Sequence, residues 1–145
     1  MEYGFLEAYY NSRDENARLL SNHGRVEYLT TMRYIDRYVS PDSRILEVGA
    51  GTGRYSIALA RAGHHVTALE LVQHNIDVFK SQLTEADDID IRQGNAMDLS
   101  AFADESFDAV LVLGPLYHLY TEADKCAVLN EAKRVVKKDG TVFAA

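Results

Sequence analysis

One cysteine, Cys126, in 145 residues leaves no internal disulfide to be made, and a reducing cytoplasm is then the default compartment. No apolar run approaches the roughly 20 residues that a membrane span needs, and no charged-then-apolar leader opens the chain. Basic residues are outnumbered, 15 Lys and Arg against 22 Asp and Glu, for a formal charge of −7. With no basic surplus to displace counterions from phosphates, a nucleic-acid partner is disfavoured. Cys/His clusters are missing too. The adjacent His64-His65 pair lacks the i, i+4 spacing of a helical metal site, so no metal is expected. Internal repeats and low-complexity stretches are absent. What is present, 47% hydrophobic and 26% charged residues, is ordinary for a globular protein with enough chain to bury a core.

The most informative segment is Ile45-Leu46-Glu47-Val48-Gly49-Ala50-Gly51-Thr52-Gly53-Arg54-Tyr55-Ser56. An apolar strand carrying a carboxylate runs into three alternating glycines, and a helix follows. Glycine lets the backbone turn sharply and approach a ligand closely, because no Cβ intervenes. The helix behind it offers free amides and a positive dipole end. A nucleotide-type cofactor is the expectation. A dinucleotide fingerprint counted from Gly49 needs its third glycine at position 54, which is Arg54. Glu47, two residues before the first glycine, would repel a pyrophosphate and suits a cofactor with a cation at that end.

Further units follow in order. Gly63 reads as the residue just past the first helix. His65-Val66-Thr67-Ala68-Leu69 is a second strand ending in Glu70, roughly 20 positions after the glycine turn, where an acidic residue takes ribose hydroxyls. Ile89-Asp90-Ile91-Arg92-Gln93 is a third strand, before Gly94-Asn95-Ala96-Met97-Asp98. Phe107 to Leu113 is a fourth, leading into Gly114-Pro115-Leu116-Tyr117-His118-Leu119. A helix capped by Thr121, with Asp124 three residues on, carries Ala127, Val128, Leu129, Ala132, Val135 and Val136 on its inward face. Lys137-Lys138-Asp139-Gly140 closes it, and Thr141 to Ala144 opens a fifth strand.

From about Ser43 to Ala145 this order and spacing resemble the class I S-adenosylmethionine-dependent methyltransferases, in particular small-molecule members with Leu-Gly-Pro-Leu-Tyr-His-Leu after the fourth strand. The resemblance implies an α/β, Rossmann-like, doubly wound and mostly parallel sheet. It implies S-adenosylmethionine as cofactor and S-adenosylhomocysteine as product. Glu47 would act on the methionine end, Gly49, Ala50, Gly51 and Gly53 would form the turn that the cofactor approaches, Glu70 would take the ribose hydroxyls, and Leu71 would also contact the cofactor. Asn95, Ala96 and Met97 would frame the adenine, and Leu113 with Gly114 would lie near the methyl group. Asn95 stands where Asp is commoner, and its carbonyl oxygen can still accept a hydrogen bond. The methyl acceptor is expected to be a small molecule. The Asn/Asp-Pro-Pro-aromatic signature of amino-group methylation is replaced by Leu113-Gly114-Pro115-Leu116-Tyr117, which disfavours DNA-base and glutamine methylation. His118 is the imidazole placed to take a proton from a hydroxyl acceptor; the plainer reading has it steadying the loop after Pro115. The alternatives are a nicotinamide-dependent oxidoreductase, disfavoured by Arg54, and a chain that binds S-adenosylmethionine without catalysis.

Residues 1–42 form a separate helical layer, a lid over a core of residues 43–145 in a single domain overall. Ser12 with Glu15 reads as a capping box, and His23-Gly24 breaks the helix it begins. A second helix runs from Arg25 to Val39 with Val26, Leu29, Met32, Ile35 and Val39 on one face, and ends before Pro41. The aromatic run Tyr3 to Tyr10 reads first as packing. In similar methyltransferases such helices reach the methionine carboxylate, which makes Tyr10 and Arg25 candidates for that contact. The family's sheet has seven strands and only five are legible here, so a C-terminally truncated piece is expected, whose charge need not be that of a parent protein. Its fifth strand would be an open edge, prone to pair with a second copy or to fray.

Overall fold

The structure is a computed structural model, and it describes Gly4, Ala8, Tyr9 and residues 21–145. The Ser12–Glu15 capping box and Tyr10 lie outside the described residues, as does most of the Tyr3–Tyr10 run. The element order is α1 (Asn22–Tyr38), β1 (Arg44–Val48), α2 (Arg54–Arg61), β2 (His65–Glu70), α3 (Gln73–Ser81), β3 (Ile89–Gln93), β4 (Phe107–Val112), a 3-10 turn (Pro115–His118), α4 (Glu122–Val135) and β5 (Val136–Ala144).

The five strands form one sheet in the order β3-β2-β1-β4-β5, and every pairing is parallel. The chain winds outward from β1 to β3, then returns to lay β4 against the other side of β1. Between β1 and β4 the direction of winding reverses, and in open α/β sheets that crevice is where ligands bind.

Alternation along the strands divides the core into two layers. Leu46 and Val48 of β1 join Val110 and Val112 of β4 on the face that α4 covers through Val128, Ala132 and Val135. Ile45, Ala109 and Leu111 face the other way, against Ile35 of α1 and Tyr55 and Leu59 of α2. Phe79 of α3 is fully buried beside Ala50, Ile57 and Ala68. Burying such a side chain stabilises the fold by roughly 1.5–3 kcal/mol. Helices therefore lie on both faces, as the doubly wound reading requires.

Three local expectations are corrected. His23-Gly24 is not a break, because α1 begins at Asn22 and the Ser21 hydroxyl accepts the Gly24 N–H at 3.2 Å as its N-cap. The buried face of α1 is rotated from the expected one: Val26 and Leu29 are 65% and 61% exposed, while Tyr28, Met32, Ile35 and Val39 pack inward. The cause is tertiary, since the Tyr28 ring packs on Tyr55 with centroids 5.3 Å apart. Finally, α4 stops at Val135, and Lys137 to Gly140 belong to β5 rather than to the helix end. They fill a register irregularity, with Phe107 opposite Val136 but Ala109 opposite Thr141.

At the end of the sheet where the strands begin, polar groups join neighbours. The Asp108 carboxylate of β4 accepts the Arg44 N–H of β1 at 2.7 Å and the Lys137 ammonium of β5 at 2.7 Å. Ser43 accepts the His65 N–H of β2 at 2.9 Å through its carbonyl, and donates its own N–H to His64 Nδ1 at 3.3 Å.

Candidate functional site

At the opposite end, where β1, β2 and β4 finish, the loops enclose a cleft. Its floor is the glycine turn. Gly49, Gly51 and Gly53 all have positive φ, at 76°, 57° and 87°, so the turn is built from a backbone conformation that L side chains seldom adopt. The glycines then serve different contacts. A Cβ on Gly53 would stand 2.3 Å from the Phe79 ring, so this position is set by packing beneath the turn. A Cβ on Gly49 would meet Pro115 at 2.6 Å, which lets the loop after β4 close down on the turn. A Cβ on Gly51 would meet nothing within 4 Å, and Gly51 lines the cleft. That is the position open to close approach by a ligand.

Glu70 ends β2 and is 5% exposed. Its carboxylate accepts the Gly51 N–H at 2.7 Å, the Val72 N–H at 2.9 Å and the Asn75 side-chain amide at 3.3 Å. The same side chain thus fixes the glycine turn and faces the cleft. Leu69 just before it accepts the N–H groups of Gly49 and Ala50 at 2.8 and 3.0 Å through one carbonyl.

Glu47, 3% exposed, lines the same cleft. The Ser56 hydroxyl of α2 donates to it. Burial outweighs that bond and, with a smaller contribution from the negative charge of Glu70, pushes the Glu47 carboxyl up to about 8. Tyr55, also on the wall, is raised by burial first, with the Thr31 hydrogen bond acting the other way.

Of the residues expected at the site, Glu47, Gly49, Ala50, Gly51, Glu70, Leu71, Asn95, Ala96, Leu113, Gly114 and His118 line this cleft. Three others stand off the wall. Gly53 lies below it, against Phe79. Met97 packs against the core on the α4 side, and its N–H donates to the Asn95 side-chain oxygen at 3.0 Å. Arg25 is on the exposed side of α1. His118 ends the 3-10 turn and meets the Tyr9 ring edge to face, with centroids 6.1 Å apart.

The cleft also has lining residues that the motif reading passed over: Glu27, Thr52, Arg54, Tyr55, Asn75 and Pro115. Arg54 and Tyr55 carried a usable signal, because the first residues of a helix behind a glycine turn face whatever the turn holds. Glu27 carried none, since its place depends on how α1 docks.

Among the described residues no three His, Cys, Asp or Glu side chains group as metal ligands would. No helix among them is long and apolar enough to cross a membrane.

Comparison with known proteins adds an independent line. The family model described as a methyltransferase domain matches residues 46–144. A ubiquinone biosynthesis O-methyltransferase of Xanthomonas campestris pv. campestris (strain B100) is 32% identical over 123 residues, spanning 84% of this chain and 48% of that protein. The chain thus spans about half the length of such relatives. Among solved structures, a SAM-dependent methyltransferase from Methanosarcina mazei superposes with a TM-score of 0.66 at 26% identity, covering 72% of this chain and 52% of the other. A protein from Pyrococcus horikoshii OT3 matches the fold at a TM-score of 0.78 and 22% identity, covering 92% of this chain and 62% of its own.

Proposed function

This chain belongs to the methyltransferase-domain family, and from that membership we propose that it binds S-adenosylmethionine and, in its whole protein, transfers the methyl group to a small-molecule acceptor. The observation that carries the reading is that two buried carboxylates, Glu70 and Glu47, line one cleft together with an open Gly51. A nucleoside with a cationic amino-acid tail has matching groups, ribose hydroxyls for Glu70 and an ammonium for Glu47.

S-adenosylmethionine supplies a methyl group already activated by a sulfonium, so the chain has to bind, align and exclude water. Glu70 would accept from the ribose hydroxyls while keeping the Gly51 amide in place. Asn95 would accept from the adenine amine through its side-chain oxygen, which also accepts the Met97 N–H. Leu71 and Ala96 would pack beside the base. Leu113 and Gly114, at the end of β4, would border the transfer point, with no side-chain amide or carboxylate to orient an amino group. Holding an acceptor in line there can contribute roughly 7–11 kcal/mol in well-aligned systems. His118, on the same wall, would receive the proton of a hydroxyl acceptor at an imidazole nitrogen.

A cytoplasmic location belongs to the same proposal, and the exposed free thiol of Cys126 suits a reducing compartment. Isothermal titration with S-adenosylmethionine, S-adenosylhomocysteine and NAD tests the ligand. Heat with the first two and none with NAD is expected; binding of NAD alone would overturn the assignment. Methyl transfer by the full-length protein to hydroxyl- and amine-bearing small molecules tests the reaction.

A further inference from the structure

The glycine turn is held from outside the cleft as well as from its wall. One peptide in it, Thr52–Gly53, is fixed at both of its polar groups. The Gly53 N–H donates to the Ala50 carbonyl at 3.0 Å, and the Thr52 carbonyl accepts the Gln82 side-chain amide at 2.9 Å. Gln82 closes α3 and is no part of the cleft wall. Three residues earlier on that helix, Phe79 sets its ring beneath Gly53, so α3 meets the turn with an apolar and a polar group from one face. The peptide lies where the chain is least restricted, since Gly51 and Gly53 flank Thr52 and both have positive φ. Glycine has the widest choice of conformations and loses the most freedom when ordered. Thr52 between them is 7% exposed and lines the cleft. A hold on its carbonyl therefore sets how this part of the wall is presented.

The second acceptor of the Gln82 amide is the Val78 carbonyl of α3, at 3.2 Å. That carbonyl also receives the Ser81 hydroxyl at 2.6 Å, so it keeps a side-chain donor without Gln82. What Gln82 adds beyond its own helix is the bond to the turn. We infer that Gln82 is a positioning residue: through the Thr52 carbonyl it keeps the glycine turn ordered before a ligand arrives, and affinity at the cleft depends on a side chain that stands outside it. A binding loop ordered in advance spares the ligand that cost. The inference rests on the S-adenosylmethionine reading and deepens it by naming what prepares the turn.

Amide hydrogen exchange in the ligand-free chain, beside calorimetric titration with S-adenosylmethionine, tests it. In Gln82→Met the Gly51 and Gly53 amides should exchange about 2- to 10-fold faster than in the unaltered chain, with exchange along β1 and β4 unchanged. Affinity for S-adenosylmethionine should fall by a similar factor. Gln82→Glu keeps the shape and removes the donor, and should behave as Gln82→Met does. Ser81→Ala removes the other bond to Val78 and should leave turn and affinity within about twofold of the unaltered chain. Turn amides that exchange alike in both Gln82 variants and the unaltered chain overturn the inference, a result that needs no ligand. Loosening of the turn by Ser81→Ala to the same extent assigns the effect to the end of α3 and overturns it too. So does a loosened turn with affinity for S-adenosylmethionine unchanged. A turn that loosens as expected in a chain that binds no S-adenosylmethionine supports the hold of Gln82 on the turn and overturns the S-adenosylmethionine reading.

Discussion

The backbone N–H of Gly51 donates to the carboxylate of Glu70 at 2.7 Å, across 19 residues of chain. One short bond therefore joins the open glycine turn to the acid proposed to hold the ribose. Glu70→Ala removes acceptors for Gly51, Val72 and Asn75 together. We expect a loss of about 1–3 kcal/mol in stability from unsatisfied buried groups, with cofactor affinity reduced at least about tenfold. Glu70→Gln keeps one acceptor oxygen and should recover part of the stability. Denaturant titration beside calorimetry checks both, and unchanged affinity in Glu70→Ala would remove Glu70 from the ligand.

Gly51 and Gly53 should separate binding from folding. A side chain at Gly51 enters open cleft, so Gly51→Val should cost about 1–3 kcal/mol in backbone strain and abolish ligand binding with the fold retained. A side chain at Gly53 meets the Phe79 ring, so Gly53→Val adds overpacking to strain, about 2–5 kcal/mol together. Circular dichroism melts compared with titrations give the answer. Normal S-adenosylmethionine binding by Gly51→Val would contradict close approach at this turn.

Glu47 predicts a pH dependence with a definite sign. Its carboxyl is raised from the ordinary 4.5 to about 8, so between those values the folded chain holds a proton that the unfolded chain has released. The stability this contributes is complete below about pH 4.5 and is lost as pH rises through 8. Glu47→Gln should flatten that decline. An ammonium-bearing ligand favours the ionised form, so its affinity should increase by up to about 50-fold from pH 6 to 8, with proton release on binding. Calorimetry in buffers of different ionisation enthalpy measures that release. Binding without proton exchange at pH 7 would contradict the assignment of Glu47 to the ammonium.

Among the described residues, β5 pairs with β4 and no strand pairs with its outer side. Val142 on it is 36% exposed. Unpaired amides and carbonyls along a β-prone edge are a template for another chain. We expect this 145-residue chain to form homodimers through β5 at micromolar concentration, or to fray there, and Val142→Lys to suppress association. Light scattering that finds a monodisperse monomer, with slow amide exchange along β5, would refute both.

The placement of the residues at the strand ends was legible because it is local. Glu47, the three glycines, Glu70 and Asn95 each sit at the end of an apolar run or in the turn after it, and a parallel sheet brings such ends together. Thr121 was legible for the same reason, as its hydroxyl accepts the Asp124 N–H three residues on. What escaped depends on contacts between distant segments. On α1 the periodicity placed Met32, Ile35 and Val39 correctly but Val26 and Leu29 wrongly, because at the start of the helix Tyr28 meeting Tyr55 decides the face. Glu27 reaches the cleft only because α1 docks that way. The end of α4 was misplaced because Lys137-Lys138-Asp139-Gly140 reads as a helix stop, whereas it serves to shift the register of β5 against β4. Asp108, whose bond to Lys137 accompanies that shift, had no distinguishing sequence signal.

Asp108 ties the starts of β1, β4 and β5, and Ser43 ties β1 to β2. The sheet is in this sense a hand fan riveted at its handle. At the ribs' far tips the Gly49–Gly53 turn and the Gly114–Leu119 loop meet, Gly49 against Pro115, and Glu70 pins the turn through the Gly51 N–H. Loosening the rivet with Asp108→Ala should disturb the docking of the strands everywhere, including at a cleft that Asp108 never touches.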